Sequence, residues 1–198
     1  MSVGAMRAQR AFTLIEMLVV IVIAGVILAL AAPSFRDMIA MQRLRSVTAQ
    51  LVTDFQFARS EAAARNEYVR IAFRGTAALT CYTIYTSTLP SERCDCRQPI
   101  GSACSSPGVT QELRTQQIPL DGRVGIRLPS DQTISAFAFD QITGGIASIP
   151  FDQPPSPLAQ FRVHTRLDNV PSALVTLNQA GRSTVCAPAG SKLQEVAC

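Results

Sequence analysis

From Phe12 to Ala32 the chain runs apolar for 21 residues, broken by one carboxylate, Glu16, near its start. As a helix this stretch would be about 31 Å long, close to the hydrocarbon thickness of a bilayer. A segment apolar on every side has to be covered by lipid or by other helices. Arg7 and Arg10 precede it, which places the N-terminus on the cytoplasmic side. A carboxylate within such a segment costs about 2.5–3.5 kcal/mol on insertion scales. A secretory signal cleaved after Ala29-Leu30-Ala31, or a plain membrane anchor, leaves that cost without a purpose.

The helical pattern resumes after Pro33, but with a different character. Phe35, Ile39, Leu44, Val47, Leu51, Phe55, Ala58 and Ala62 follow three- and four-residue steps, with Arg36, Asp37, Arg43, Arg45 and Asp54 mostly on other faces. One helix from Phe12 to about Arg65 would span roughly 75–80 Å. Its first half is apolar all round and its second half amphipathic, and the stripe is too irregular for a heptad seam. Gly25 and Pro33 are weak points in it. The proline removes one backbone bond and crowds the Ala29 carbonyl, so the segment between them is where the helix would bend or melt.

Beyond Asn66 the periodicity changes to two. In YVRIAFRG (68–75), Val69, Ile71 and Phe73 alternate with Arg70, Ala72 and Arg74, and Gly75 ends the run. Further short strands are expected at 79–86, 111–118, 123–128, 132–139, 160–167, 173–178 and 182–187. Pro and Gly leave 94–108 and 150–158 as loops. The expected class is α+β: a long N-terminal helix whose amphipathic half packs against an antiparallel sheet. The parts are a cytoplasmic leader at 1–11, a transmembrane or filament-core helix at 12–33, the amphipathic spine at 34–66, and a β-rich head at 67–198.

All six cysteines follow the apolar segment, which suits an oxidising compartment. Cys186 and Cys198 would close a C-terminal loop. Cys81, Cys94, Cys96 and Cys104 form two more bridges of open connectivity, Cys94 and Cys96 being too close to pair with each other. Metal-ligand spacing is absent, and the lone histidine, His164, lies far from the cysteines. No nucleophile elbow, phosphate loop or metal motif occurs, so neither an enzyme nor a cofactor is expected, and His164, four residues from Asp168, is read as a surface residue. The formal charge of +4 falls by two once Arg7 and Arg10 leave with the leader. Net charge alone then implies no polyanion partner.

Ala11-Phe12-Thr13-Leu14-Ile15-Glu16, behind its basic leader, resembles the processing site of type IV prepilins and type II secretion pseudopilins. The resemblance implies that a prepilin peptidase cuts between Ala11 and Phe12, where the family usually has Gly at the position of Ala11. The Phe12 amine is then methylated and the helix retained, with Glu16, Gly25 and Pro33 serving assembly. Ala58-Arg59-Ser60-Glu61-Ala62-Ala63-Ala64-Arg65-Asn66 looks like the helix end of the GspH/FimT minor pilins. That resemblance covers the first 75 residues closely and the rest loosely. It implies a non-enzymatic minor pilin of a type IV pilus, held in the inner membrane with a periplasmic head and partnered by lipid, the peptidase and other pilin subunits. A minor pseudopilin of the type II secretion system is the first alternative.

A double-stranded DNA-binding minor pilin is the second. Some FimT-like pilins use a Gly-Arg-x-Arg motif, matched here by Gly181 and Arg182, with Thr184 replacing the second Arg. Arg162, His164 and Arg166 alternate along one strand, as do Arg70 and Arg74, and could supplement it. Against this, Arg is simply the chain's preferred solubilising cation.

Overall fold

The computed structural model describes residues 13–89, 91–149, 155–191, 193 and 196–198, without the side chains of 31–33 and 122. Helix α1, Leu14–Arg65, is followed by nine strands: β1 Val69–Gly75, β2 Leu79–Ser87, β3 Thr110–Pro119, β4 Val124–Arg127, β5 Ala136–Phe139, β6 Ile146–Ser148, β7 Gln160–Leu167, β8 Val170–Asn178 and β9 Ser183–Cys186. The chain divides into two compact units, Met1–Ile39 and Ala40–Cys198.

In the first unit the described residues are one run of helix. It is apolar without a sidedness: every large apolar side chain from Leu14 to Leu30 is at least 47% exposed. No single helix among the described residues is both long and apolar enough to cross a membrane. Leu14–Leu30 and Ser34–Arg65 meet that measure only when taken together.

In the second unit, Ala40–Arg65 packs its apolar stripe against two antiparallel sheets. One has the order β3-β2-β1-β5-β6 and the other β4-β7-β8-β9. Leu51, Phe55, Ala58 and Ala62 meet Val69, Ile71, Phe73, Ile84 and Phe137 of the first sheet and Phe161, Val163, Val175 and Leu177 of the second. Phe55 sits edge-on to Phe73 and Phe137, with ring centroids 6.4 and 5.8 Å away. Nearer the start of this unit, Ala40 and Leu44 pack with Val124, Leu167, Ala173 and Leu193. The stripe wanders between two sheets, which is why it follows no strict heptad. Asn66, in the left-handed region at φ 53°, ends the helix, and the Glu67 amide donates back to the Ala62 carbonyl at 3.3 Å.

Four features differ from the expectations. The head divides its strands between two sheets. Strand β5 begins at Ala136 rather than 132, because Gln132 turns back on Pro129 and its side chain accepts from the Arg162 amide at 2.9 Å. Strand β6 has three residues, too few to show alternation.

Strand β1 is buried from Val69 to Phe73 rather than on alternate residues. Its outer face is roofed by the 94–104 loop, where Cys94 and Ala103 pack on Ala72, Tyr85 and Ala136. Two disulfides, Cys81–Cys96 and Cys94–Cys104, hold that roof, and Cys186–Cys198 closes the C-terminal loop. Glu112 clamps it as well, accepting from the Gly101 and Ala103 amides at 3.0 and 2.9 Å and from the Thr115 hydroxyl at 2.6 Å. Burial opposes ionisation of Glu112, but these three donors outweigh it and hold the carboxyl below its usual range.

Candidate functional site

Two regions bear on function. The first is the start of α1. Thr13 caps the helix there: its hydroxyl accepts from the Glu16 amide at 3.3 Å. The Glu16 side chain is exposed among Leu14, Ile15, Met17 and Val20 and makes no ion pair among the described residues. A carboxylate exposed in an apolar sleeve is costly to cover with lipid or another helix unless a cation joins it. Gly25 has nothing among the described residues within 4 Å of where a side chain would begin, so no packing among them requires a glycine there. The helix runs on through Pro33. Ala11, Phe12 and the proposed cut between them lie outside the described residues.

The second region is the outer face of the β4-β7-β8-β9 sheet. Along β7, Phe161, Val163, Thr165 and Leu167 are buried, leaving Arg162, His164 and Arg166 on the opposite face. Register carries that face sideways: Arg127 of β4 pairs with His164, and Thr176 of β8 links Arg162 to Thr184 of β9. Arg182 precedes β9, with its amide donating to the Asn178 side chain at 2.9 Å, and alternation puts it on the same face as Thr184. The sheet therefore collects Arg127, Arg162, Arg166 and Arg182 from three separate stretches of sequence.

These cations are not equally available. Arg162 is paired with Asp131, and Arg166 with the Asn169 side-chain carbonyl. Arg127 and Arg182 are exposed and make no ion pair among the described residues. His164 is held below its usual range by burial and then by Arg162, so it adds little positive charge near neutrality. Asp168 is engaged by Arg123 and forms no dyad with His164.

Arg70 does not join this face, whereas Arg74 lines a cleft shared with Arg127 and Arg166. Arg70 is buried on β1, where it donates to the carbonyls of Leu89 and Glu92 at 2.9 and 3.4 Å and fixes the loop between β2 and β3. Burial pulls its guanidinium below the usual value. Gly181 is explained by packing: at φ 72°, a side chain there would begin 2.3 Å from the Gly144 carbonyl and 3.1 Å from Phe139. The glycine of the candidate Gly-Arg pair is thus needed by the β8–β9 turn whatever Arg182 does.

Reading along the chain missed Arg127, because its four-residue strand shows no period long enough to assign a face. It also left Asp54 as one charge among the helix's exposed ones. Asp54 is fully buried and accepts from the Tyr82 hydroxyl at 2.6 Å, the Gln50 amide at 2.9 Å and the Arg114 guanidinium at 2.5 Å. Burial and then the Asp54 contact push the Tyr82 hydroxyl far above its usual range. This carboxylate bolts the helix to β2 and β3.

Two family models match the chain. The prokaryotic N-terminal methylation motif matches residues 6–32, and the type II transport protein GspH matches residues 47–192. No curated protein and no solved structure matches it.

Proposed function

The chain belongs to the type II transport protein GspH family and carries the prokaryotic N-terminal methylation motif, and from that premise we propose that it is a minor pilin of a type IV pilus. At the coarser level it is a pilin or pseudopilin, a structural subunit processed by a prepilin peptidase and assembled with other pilin subunits. The observation that carries the filament-subunit reading is the exposed apolar helix with Glu16, which makes no ion pair among the described residues.

In this reading the peptidase hydrolyses the Ala11–Phe12 bond and leaves a positive amine on Phe12. The helix waits in the inner membrane, anchored through lipid, with its head in the periplasm. On assembly, the amine of an incoming subunit meets Glu16 of a subunit already in the filament. In an apolar surround that pairing offsets the cost of burying both charges, and only one axial position satisfies both. Gly25 and Pro33 weaken the helix between them, where it would yield as the filament packs.

Mass spectrometry of the mature protein tests the processing step. An N-methylated Phe12 supports it, and an N-terminus at Ala32 would replace it with a secretory signal. Deleting the gene and scoring twitching, transformation and exoprotein secretion tests the machine. The description of the matched family favours a second reading, a pseudopilin of the type II secretion system. Lost secretion with normal pili would select it.

A third reading, binding of double-stranded DNA, draws on Arg162, Arg166 and Arg182 sharing one sheet face, with Gly181 forming the turn before Arg182. The full chain should then bind duplex DNA with a steep salt dependence, and Arg182→Ala should reduce the salt slope by about 1. Absence of salt-dependent binding at low ionic strength removes this reading.

A further inference from the structure

A cleft of about 460 Å³ opens between the β1–β2 turn, strand β4 and the end of β7. Its apolar walls come from Phe73, Ile126 and Leu128, and Arg74, Arg127 and Arg166 also line it, with no carboxylate among the described lining residues. The volume lies within the range of small-molecule sites, which are typically apolar with a few convergent polar groups.

Three guanidiniums on one cleft repel one another unless an anion joins them. Arg74 and Arg127 form no ion pair among the described residues, and Arg166 is engaged only by the neutral Asn169. The acid that Arg74 feels, Asp95, is already held by both arms of Arg97. The Arg166 guanidinium is depressed by burial and then by Arg127, which places these two like charges against each other without compensation. The backbone here is also built: the Ile126 amide donates to the Thr80 hydroxyl at 3.1 Å, tying β4 to β2 across the cleft floor.

We infer that this cleft binds a small organic anion, with an apolar body against Phe73, Ile126 and Leu128 and a carboxylate or phosphate among Arg74, Arg127 and Arg166. All its lining residues belong to the second unit, and none is among the residues proposed for filament contact. The site draws its residues from both sheets, so an occupant would brace one against the other.

The test uses the full chain in detergent with phenyl phosphate, benzoate and inorganic phosphate as probes, titrated by calorimetry at low ionic strength. Phenyl phosphate or benzoate should bind at one saturable site, and inorganic phosphate more weakly for want of the apolar body. Whichever of the two organic probes binds more tightly names the head group. Arg127→Gln should weaken that binding about tenfold, while Arg127→Lys retains most of it and Arg182→Gln leaves it unchanged. Arg127 is exposed and makes no ion pair among the described residues, so its substitution should leave the fold intact. No saturable binding of either organic probe, or binding indifferent to Arg127→Gln, overturns the inference. So does displacement of the probe by duplex DNA, which would make the arginines part of a polyanion face.

Discussion

Glu16 and Asp54 lie on one helix and meet opposite fates. Both are carboxylates set among apolar neighbours. Asp54 is fully buried and has three side-chain donors, all within its own unit, whereas the Glu16 carboxylate is exposed with none among the described residues. The apolar stripe of Ala40–Arg65 is buried within its own unit. The large apolar side chains from Leu14 to Leu30 are exposed. A charge satisfied within the chain specifies the fold, and in the proposed function the other charge specifies the contact with a second chain.

Removing each charge should therefore fail in a different place. Glu16→Ala is expected to have the largest effect, with membrane insertion and processing kept and filament incorporation reduced by two orders of magnitude or more. The scale is that of a broken buried pair, about 3–5 kcal/mol. Immunoblotting of sheared filaments against membranes measures it, and a variant that assembles normally would break the contrast. Asp54→Ala strands the Tyr82 hydroxyl and Arg114 and should destabilise the head by a similar 3–5 kcal/mol, read as a lowered Tm. Glu16→Ala should leave that Tm where it is.

Cutting the roof should cost less than cutting the bolt. Replacing Cys94 and Cys104 with serine opens a short loop and should cost about 2–3 kcal/mol. The loss should appear as faster amide exchange over 94–104, with the Phe55 cluster still protected. The smallest effect is one of pH. Because Glu112 is held below its usual range by its three donors, its contribution is present above the ordinary carboxylate pKa and is lost as pH falls through the lowered value. Exchange at the Gly101 and Ala103 amides, compared at equal intrinsic rate, should rise in acid, and Glu112→Gln should flatten that dependence.

Much of this was legible from local pattern. The helix from the apolar start to Arg65 shows in three- and four-residue steps, and its end at Asn66 in a residue that tolerates the left-handed region. The family follows from a short contiguous motif around Glu16 and from the helix end. Strand β6 was invisible because three residues carry no period, and the outer face of β1 was misjudged because a loop far along the chain covers it. The structure answers the open cysteine question with Cys81–Cys96 and Cys94–Cys104, partners chosen by where that loop lies on the sheet.

The sequence by itself determined what depends on neighbours along the chain: an apolar helix with a lone carboxylate, an amphipathic continuation, and alternating strands. These follow from periodicity and transfer cost, which a linear reading can count. Only the tertiary structure decided that Asp54 is buried, that Gly181 must be glycine, and that Arg74, Arg127 and Arg166 share one cleft. Each of those depends on strand register between residues dozens of positions apart, and register is set by how two sheets close around one helix rather than by any local preference.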